Sequence, residues 1–265
     1  MKKVLTTQQV AFFNVFGYLV LPQAFDAGEV ETLSRDFDDK ALSDRDGDKF
    51  DAEQRQDIDL GSVGSWENLG VSDNLFYPLE QLLGKDFITK SSPNGGLYVG
   101  DTQWHPDIPT VTSQTHIKAG VYLDPVRHDT GCLRVVPGSH KNPIHDLLQP
   151  LRMGRIKESL DNGTLMSNIG AAGEKDRKEL EDWAERTGMN LDDGNTVYGV
   201  DPLDIPSSPL ESNPGDVAFF HQCIFHAAFG GNVRRMVSLT WASAPTESGH
   251  TEGVSASNIR SQLGY

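Results

Sequence analysis

The spacing of apolar and polar positions predicts short helices near the amino terminus and mostly strands after them. The first predicted elements are a helix over Thr6–Phe16, a strand over Gly17–Leu21 and a helix over Asp26–Asp39. Thr6 or Thr7 is placed to cap the first helix. Val30, Leu33 and Phe37 share one stripe of the second helix, which indicates one buried face.

Strand patterns dominate the rest of the chain. The predicted strands are 85–90, 96–105, 115–124, 131–137, 215–226 and 233–243. Residues 40–64 are rich in Asp and Gly and are predicted to form a mobile loop. This order is typical of a mainly β fold with flanking helices, a double-stranded β-helix or cupin-like jelly roll. We expect one domain over residues 1–265.

Charge and composition narrow the classes of partner. The chain carries 38 acidic and 23 basic residues, a net charge of −15, which disfavours nucleic acid and anionic membrane surfaces. The chain has no run of about 18 apolar residues, so the sequence predicts no membrane span. The start of the chain does not resemble a signal peptide, so the predicted location is cytoplasmic. Cys132 and Cys223 are predicted to be buried free thiols. We expect a small-molecule substrate, and the sequence does not define an oligomeric state.

The segment RRMVSLTW brings an arginine to the interior. Alternation in a strand puts Arg234, Met236, Ser238 and Thr240 on one face and Arg235, Val237, Leu239 and Trp241 on the other. One of the two arginines must therefore face inward. A planar guanidinium is suited to a bidentate grip on a carboxylate.

Three residues far apart in sequence form a candidate metal site. His105 and Asp107 occupy a His-x-Asp pair, and in an extended backbone residues i and i+2 point to the same face. His226 closes a strand-like run that opens with the turn Asn213–Asp216. Two imidazoles and one carboxylate that leave other positions open are typical of non-haem Fe(II) oxygenases.

Other interpretations of the same residues remain open. His-x-Asp arises by chance in an aspartate-rich chain, and His226 could be a packed histidine. The ligands would also suit a hydrolytic Zn²⁺ site, although no candidate general base accompanies them. A non-enzymatic sensor of iron or 2-oxoglutarate would keep the site, and a structural or sugar-binding jelly roll would need no metal.

Four segments of the chain resemble the phytanoyl-CoA dioxygenase (PhyH) family of Fe(II)/2-oxoglutarate-dependent oxygenases. They are LTTQQVAFFNVFGYLVLPQAF, WHPD, YLDPVRHDTGCLRVVPGSHK and NPGDVAFFHQCIFHAAFGGNVRRMVSLTWA, in the expected order. The resemblance implies Fe(II) as cofactor, with His105, Asp107 and His226 as its ligands. It implies 2-oxoglutarate and O₂ as co-substrates, with Arg234 binding 2-oxoglutarate.

The resemblance also implies a reaction. An unactivated C–H bond of a small molecule would be hydroxylated, with release of succinate and CO₂. Desaturation or ring chemistry is the alternative outcome, and Asp107 argues against halogenation, because related halogenases lack this carboxylate. Many relatives have a serine at the position of Ala228 that contacts 2-oxoglutarate. Lys118 and Thr102 are the candidates to replace it.

A long insert, residues 141–212, separates two predicted core strands. It contains a charged amphipathic helix over Glu174–Thr187 and is interpreted either as a cover on the outside of the barrel or as a lid over the iron. Arg152, Arg155 and Lys157 give the insert positive charge, either as solvated surface charge or as an attraction for an anionic substrate group. Nothing in the sequence selects the substrate.

Overall fold

The computed structural model describes residues 4–50, 55–161, 171–188, 198, 200–231, 233–244 and 253–265. The helices are α1 (Thr7–Phe16), α2 (Ala27–Ser43), α3 (Asp73–Leu83), α4 (Ile144–Leu147), α5 (Gln149–Asp161), α6 (Ala171–Thr187) and α7 (Ala256–Gln262). The strands are β1 (Tyr18–Leu21), β2 (Gln56–Asp59), β3 (Ile88–Tyr98), β4 (Thr102–His105), β5 (His116–Tyr122), β6 (Leu133–Val135), β7 (Ser208–Leu210), β8 (Val217–His221), β9 (His226–Ala228), β10 (Arg234–Ala242) and β11 (Val254–Ser255). Short 3₁₀ turns lie at Gly64–Trp66, Leu69–Val71 and Pro202–Asp204.

The strands within these ranges form two antiparallel sheets. The larger sheet has the order β1-β8-β5-β10-β3-β11, with β2 also paired to β3. The smaller sheet has the order β4-β9-β6-β7. The predicted mainly β jelly roll with flanking helices is confirmed. In the described ranges, no helix has both the length and the apolar character needed to cross a membrane.

The main hydrophobic core lies between the larger sheet and the amino-terminal helices. Val237, Leu239 and Trp241 of β10 are buried there together with Phe37 of α2 and Leu79 of α3. Strand alternation predicts that the three β10 residues share one face, and the α2 stripe predicts that Phe37 is inside, whereas Leu79 belongs to a helix that was not predicted. The opposite face of the same sheet lies outside this core and is available to a functional site.

The predicted amino-terminal elements are present, with one difference in length. Thr6 caps α1 in a capping box with Gln9, and Asp26 caps α2 in a second capping box with Glu29. Helix α2 continues to Ser43, beyond the predicted end.

The prediction of a mobile loop over residues 40–64 is wrong for residues 40–43, which end α2, and for residues 56–59, which form β2; residues 51–54 lie outside the described part of the chain. Strand β2 lies in this segment and pairs with β3, with Ile58 opposite Gly95. Ile58 is the one buried residue of β2. Because the strand lacks an alternation of apolar and polar residues, its sequence does not predict a strand.

Two predicted strands are in fact divided between the sheets. The run predicted as 96–105 contains the end of β3 and all of β4, separated at Gly100, which has φ +70°. The run predicted as 215–226 divides into β8 and β9, which lie in different sheets. His226 therefore begins a strand rather than ending one. Helices α3 and α5 were not predicted from the sequence.

Candidate functional site

His105 and His226 lie directly opposite each other where the smaller sheet pairs β4 with β9. Their ring centroids are 4.3 Å apart. Asp107 follows two residues after His105, just beyond the end of β4. Strand pairing thus joins the His-x-Asp pair to a histidine more than a hundred residues away.

Both imidazoles are held in the same tautomer. The Nδ1 atom of His105 lies 2.8 Å from the Gln103 carbonyl oxygen, and that of His226 lies 2.9 Å from the Ile224 carbonyl oxygen. A carbonyl oxygen only accepts, so each Nδ1 carries the proton and each Nε2 keeps a free lone pair. A backbone carbonyl behind the ring is the usual support of a metal-binding histidine.

The Nε2 atoms face the carboxylate of Asp107. The distances to Asp107 Oδ1 are 3.9 Å from His105 and 3.7 Å from His226, beyond ordinary hydrogen-bond length. Ligand atoms of the three residues all lie within 4.8 Å of one another. Asp107 Oδ2 is buried and makes no hydrogen bond to any described residue, although Lys118 Nζ lies 3.2 Å away as an ion pair.

The electrostatics keep all three groups in ligand-competent forms. Burial lowers the pKa of His105 well below its usual value, and the charges of His226 and Arg155 lower it further. Burial also lowers the pKa of His226. Burial by itself raises the pKa of Asp107, but His226 and Lys118 outweigh it and lower that pKa to about 2. At neutral pH the site therefore presents two neutral imidazoles and one carboxylate, a donor set that fits a divalent iron.

A cavity of about 170 Å³ adjoins the triad. The larger sheet contributes alternate residues to its wall, namely Arg234, Met236 and Ser238 of β10, Lys118, Gly120 and Tyr122 of β5, and Ala218 and Phe220 of β8. The smaller sheet contributes Thr102, His105, Leu133, His226, Ala227 and Ala228. Ala119, Arg55, Tyr98 and Arg155 complete the lining. The predicted site residues Thr102, Lys118 and Arg234 are thus brought to the cavity that adjoins the triad.

The two adjacent arginines take opposite sides, as the alternation requires. Arg234 is 4% exposed, lines the cavity and places Nη1 3.4 Å from the Gly100 carbonyl oxygen. Arg235 turns away and binds Asp124 and Asp38, with Nη contacts of 2.7 and 2.8 Å. Of the pair, Arg234 is therefore the one that can meet a ligand in the cavity.

Gly131 is packed against the Arg234 guanidinium. A Cβ atom at this glycine would lie 2.7 Å from Arg234 Cζ and Nη1, and Gly131 has φ +89°. Only glycine therefore allows the present position of the arginine.

Tyr98, Tyr122 and Arg55 were not predicted as part of this site, whereas Arg155 was one of three insert residues considered as an attraction for an anionic substrate group. Tyr122 could have been found, because it is four residues after Lys118 on the same face of β5. Burial raises its pKa, so its hydroxyl remains protonated and available as a donor. No local pattern indicated that Tyr98 and Arg55 lie at the cavity.

Comparisons with known proteins show the family and the fold of the chain. The chain matches the family Phytanoyl-CoA dioxygenase (PhyH) over residues 13–198, a range that includes His105 and Asp107 but ends before His226 and Arg234. No curated protein matches it significantly.

Solved structures are similar over nearly the whole chain. HygX from Streptomyces hygroscopicus, with nickel and 2-oxoglutarate bound, is 17% identical with a TM-score of 0.57, covering 97% of this chain and 99% of its own. SnoK, a non-haem alpha-ketoglutarate-dependent carbocyclase from nogalamycin biosynthesis, is 19% identical with a TM-score of 0.56, covering 91% and 85%. The epimerase SnoN, in complex with Fe³⁺, alpha-ketoglutarate and nogalamycin RO, is 17% identical with a TM-score of 0.54, covering 94% and 93%. At these identities the likeness shows a shared fold.

Proposed function

Because the chain belongs to the phytanoyl-CoA dioxygenase (PhyH) family, we propose that it is an Fe(II)/2-oxoglutarate-dependent dioxygenase that hydroxylates a C–H bond of a small molecule. Its fold is that of the iron- and 2-oxoglutarate-dependent oxygenase structures. The observation that carries the proposal is the triad, whose two histidines both direct unprotonated Nε2 atoms toward Asp107.

In this proposal His105, Asp107 and His226 hold the iron. When bound, the iron supplies O₂ activation coupled to conversion of 2-oxoglutarate to succinate and CO₂. The protein contributes rigid ligands, because the two histidines are paired strand residues whose rings are fixed by carbonyl oxygens. Lys118 keeps Asp107 ionised and oriented through its 3.2 Å contact.

Arg234 binds the distal carboxylate of 2-oxoglutarate. It is the buried guanidinium of the cavity wall, and its planar group can grip a carboxylate with two hydrogen bonds. Ala228 cannot donate a side-chain hydrogen bond, so another cavity donor completes the carboxylate site. Tyr122 and Thr102 both line the same cavity and carry hydroxyl groups.

A different radical outcome is the second candidate. SnoK is a carbocyclase and SnoN an epimerase, so proteins with this fold and dependence on alpha-ketoglutarate are not all hydroxylases. Mass spectrometry of the product separates the two: hydroxylation adds one oxygen atom, whereas cyclisation, desaturation and epimerisation add none.

The test of the proposed site is substitution of each ligand. His105→Ala, Asp107→Ala and His226→Ala should each abolish Fe(II) binding and succinate formation from 2-oxoglutarate, while circular dichroism shows a folded barrel. His128→Ala is the matched control, since His128 is an exposed histidine paired with Glu211. Near-normal activity in any of the three ligand variants would refute the ligand assignment.

A further inference from the structure

The cavity gathers positive charge in a chain whose net charge is −15. Its lining includes Arg55, Lys118, Arg155 and Arg234. Asp107, the carboxylate beside it, is assigned to the metal in the proposed function. The positively charged side chains of the lining therefore outnumber the acidic side chains that face them.

Three of these cations already have a partner or an assigned ligand. Arg55 binds Asp57 through Nε at 2.7 Å and lies over the Tyr98 ring, 4.1 Å from its centroid. Lys118 pairs with Asp107. Arg234 is assigned to 2-oxoglutarate. Arg155 makes no hydrogen bond or ion pair with any residue in the described parts of the chain.

The position of Arg155 is set by the packing of α5. Leu151, one turn earlier on the same helix, is buried in a cluster with Trp104 of β4. Arg152 ties α5 to α6 through two hydrogen bonds to Glu179, at 2.6 and 2.8 Å. The helix is thus anchored beside β4, and Arg155 projects from it to the cavity lining.

Arg155 is close enough to the triad for its charge to act there. Its charge contributes to the lowered pKa of His105 and of His226, after burial as the main cause. Desolvation, together with the charge of Arg152, outweighs the attraction of Asp107 and Asp176 and lowers the pKa of Arg155 itself. The residue keeps contact with solvent, so it lies at the open side of the cavity.

We propose that Arg155 is a substrate-binding residue and that the primary substrate carries an oxyanion group, a carboxylate or a phosphate, which pairs with this guanidinium. The proposal rests on the proposed function, because it takes the triad and Arg234 as already assigned. A planar guanidinium matches either oxyanion with two hydrogen bonds.

The size of the cavity supports binding of the substrate at its mouth. At about 170 Å³ it is smaller than the roughly 300–1,000 Å³ of most small-molecule pockets. Once 2-oxoglutarate is inside, little of this volume remains. The substrate then extends outward beside α5, where its anionic group meets Arg155 and a C–H bond lies toward the metal.

The binding test uses two small probes, acetate and methyl phosphate, on the protein loaded with Ni(II) and 2-oxoglutarate, so that no turnover occurs. Titration calorimetry or ligand-observed NMR should show that at least one probe binds. Arg155→Gln should weaken that binding roughly tenfold or more, as expected for loss of a charge-assisted contact. Arg177→Gln, at an exposed position of α6, is the matched control with the same change in charge and should bind as the wild type does.

The outcomes separate the two proposals. The stronger probe tells a carboxylate substrate from a phosphate substrate. Failure of both probes to bind, or equal binding by Arg155→Gln and Arg177→Gln, overturns the role of Arg155 and leaves a solvated surface charge. If the wild type binds neither Ni(II) nor 2-oxoglutarate, the proposed function fails and the role of Arg155 fails with it.

Discussion

Gly131→Ala should weaken 2-oxoglutarate binding without removing any charge or hydrogen-bonding group. The new Cβ atom would lie 2.7 Å from Cζ and Nη1 of Arg234 and 2.9 Å from its Nε. Such distances are far below van der Waals contact, so the guanidinium must move away from its present position. An arginine that binds a carboxylate with two hydrogen bonds cannot keep both after such a displacement.

The substitution should change two quantities, the KM for 2-oxoglutarate and the folding stability. A hydrogen bond to a charged group contributes about 1.5–3 kcal/mol, so the KM for 2-oxoglutarate should rise about 10- to 150-fold if that contribution is lost. Gly131 also has φ +89°, where an alanine costs roughly 1–2 kcal/mol of folding free energy. For a chain of this size that corresponds to a fall in Tm of roughly 2–8 °C.

Gly47→Ala is the control that separates the two effects. Gly47 has φ +85° and nothing within 4 Å of a Cβ atom at its position. It should therefore show a similar fall in Tm, measured by calorimetry, and an unchanged KM for 2-oxoglutarate in a succinate-release assay. The reasoning is refuted if the two variants show the same dependence on 2-oxoglutarate.

Three further predictions follow from the structure. Arg234→Ala should raise the 2-oxoglutarate KM greatly in the succinate assay and Arg235→Ala much less, and the reverse order would show that Arg235 binds the co-substrate. Burial lowers the pKa of His221 from 6.5 to about 3 and that of His140 from 6.5 to about 4. The unfolded chain therefore takes up protons on these histidines below pH 6.5 while the folded protein does not, so the stability present above pH 6.5 is lost as the pH falls. Urea unfolding at pH 7 and pH 5 should show a loss of up to roughly 2 kcal/mol per histidine, reduced in His221→Gln; an equal loss in that variant would contradict the assignment. If residues 141–212 form a lid, limited proteolysis should cleave them first in the metal-free protein and more slowly with Fe(II), 2-oxoglutarate and substrate, whereas unchanged cleavage would leave the insert as a cover.

Local patterns determined the parts of the protein that depend on neighbouring residues. The capping boxes at Thr6 and Asp26 satisfy the first backbone donors of α1 and α2, so their sequence signatures locate both helix starts. The alternation after Arg234 separates cavity residues from core residues, because successive strand side chains point to opposite faces. The same logic explains why His105 and Asp107 could be proposed as a pair.

Strand boundaries were not determined in this way. The apolar run around β8 and β9 is buried on both sides of the break, so its hydrophobicity does not change where the chain passes from one sheet to the other. Strand β2 has the opposite problem, since its pairing with β3 orders a segment with a single buried apolar residue. In both cases hydrogen bonding to distant strands, not local propensity, decides the structure.

Only the tertiary structure distinguished between residues of the same type. Arg152 and Arg155 are three positions apart on one helix, yet Glu179 of α6 binds the first and the second lines the cavity. Gly131 is one glycine among 26, and its importance comes from contact with an arginine more than a hundred residues later. The sequence by itself determined which chemical groups the protein carries and the local direction of many of them. Which groups meet depends on the packing of the two sheets and the insert, because contacts between distant segments are set by burial and shape complementarity over the whole fold.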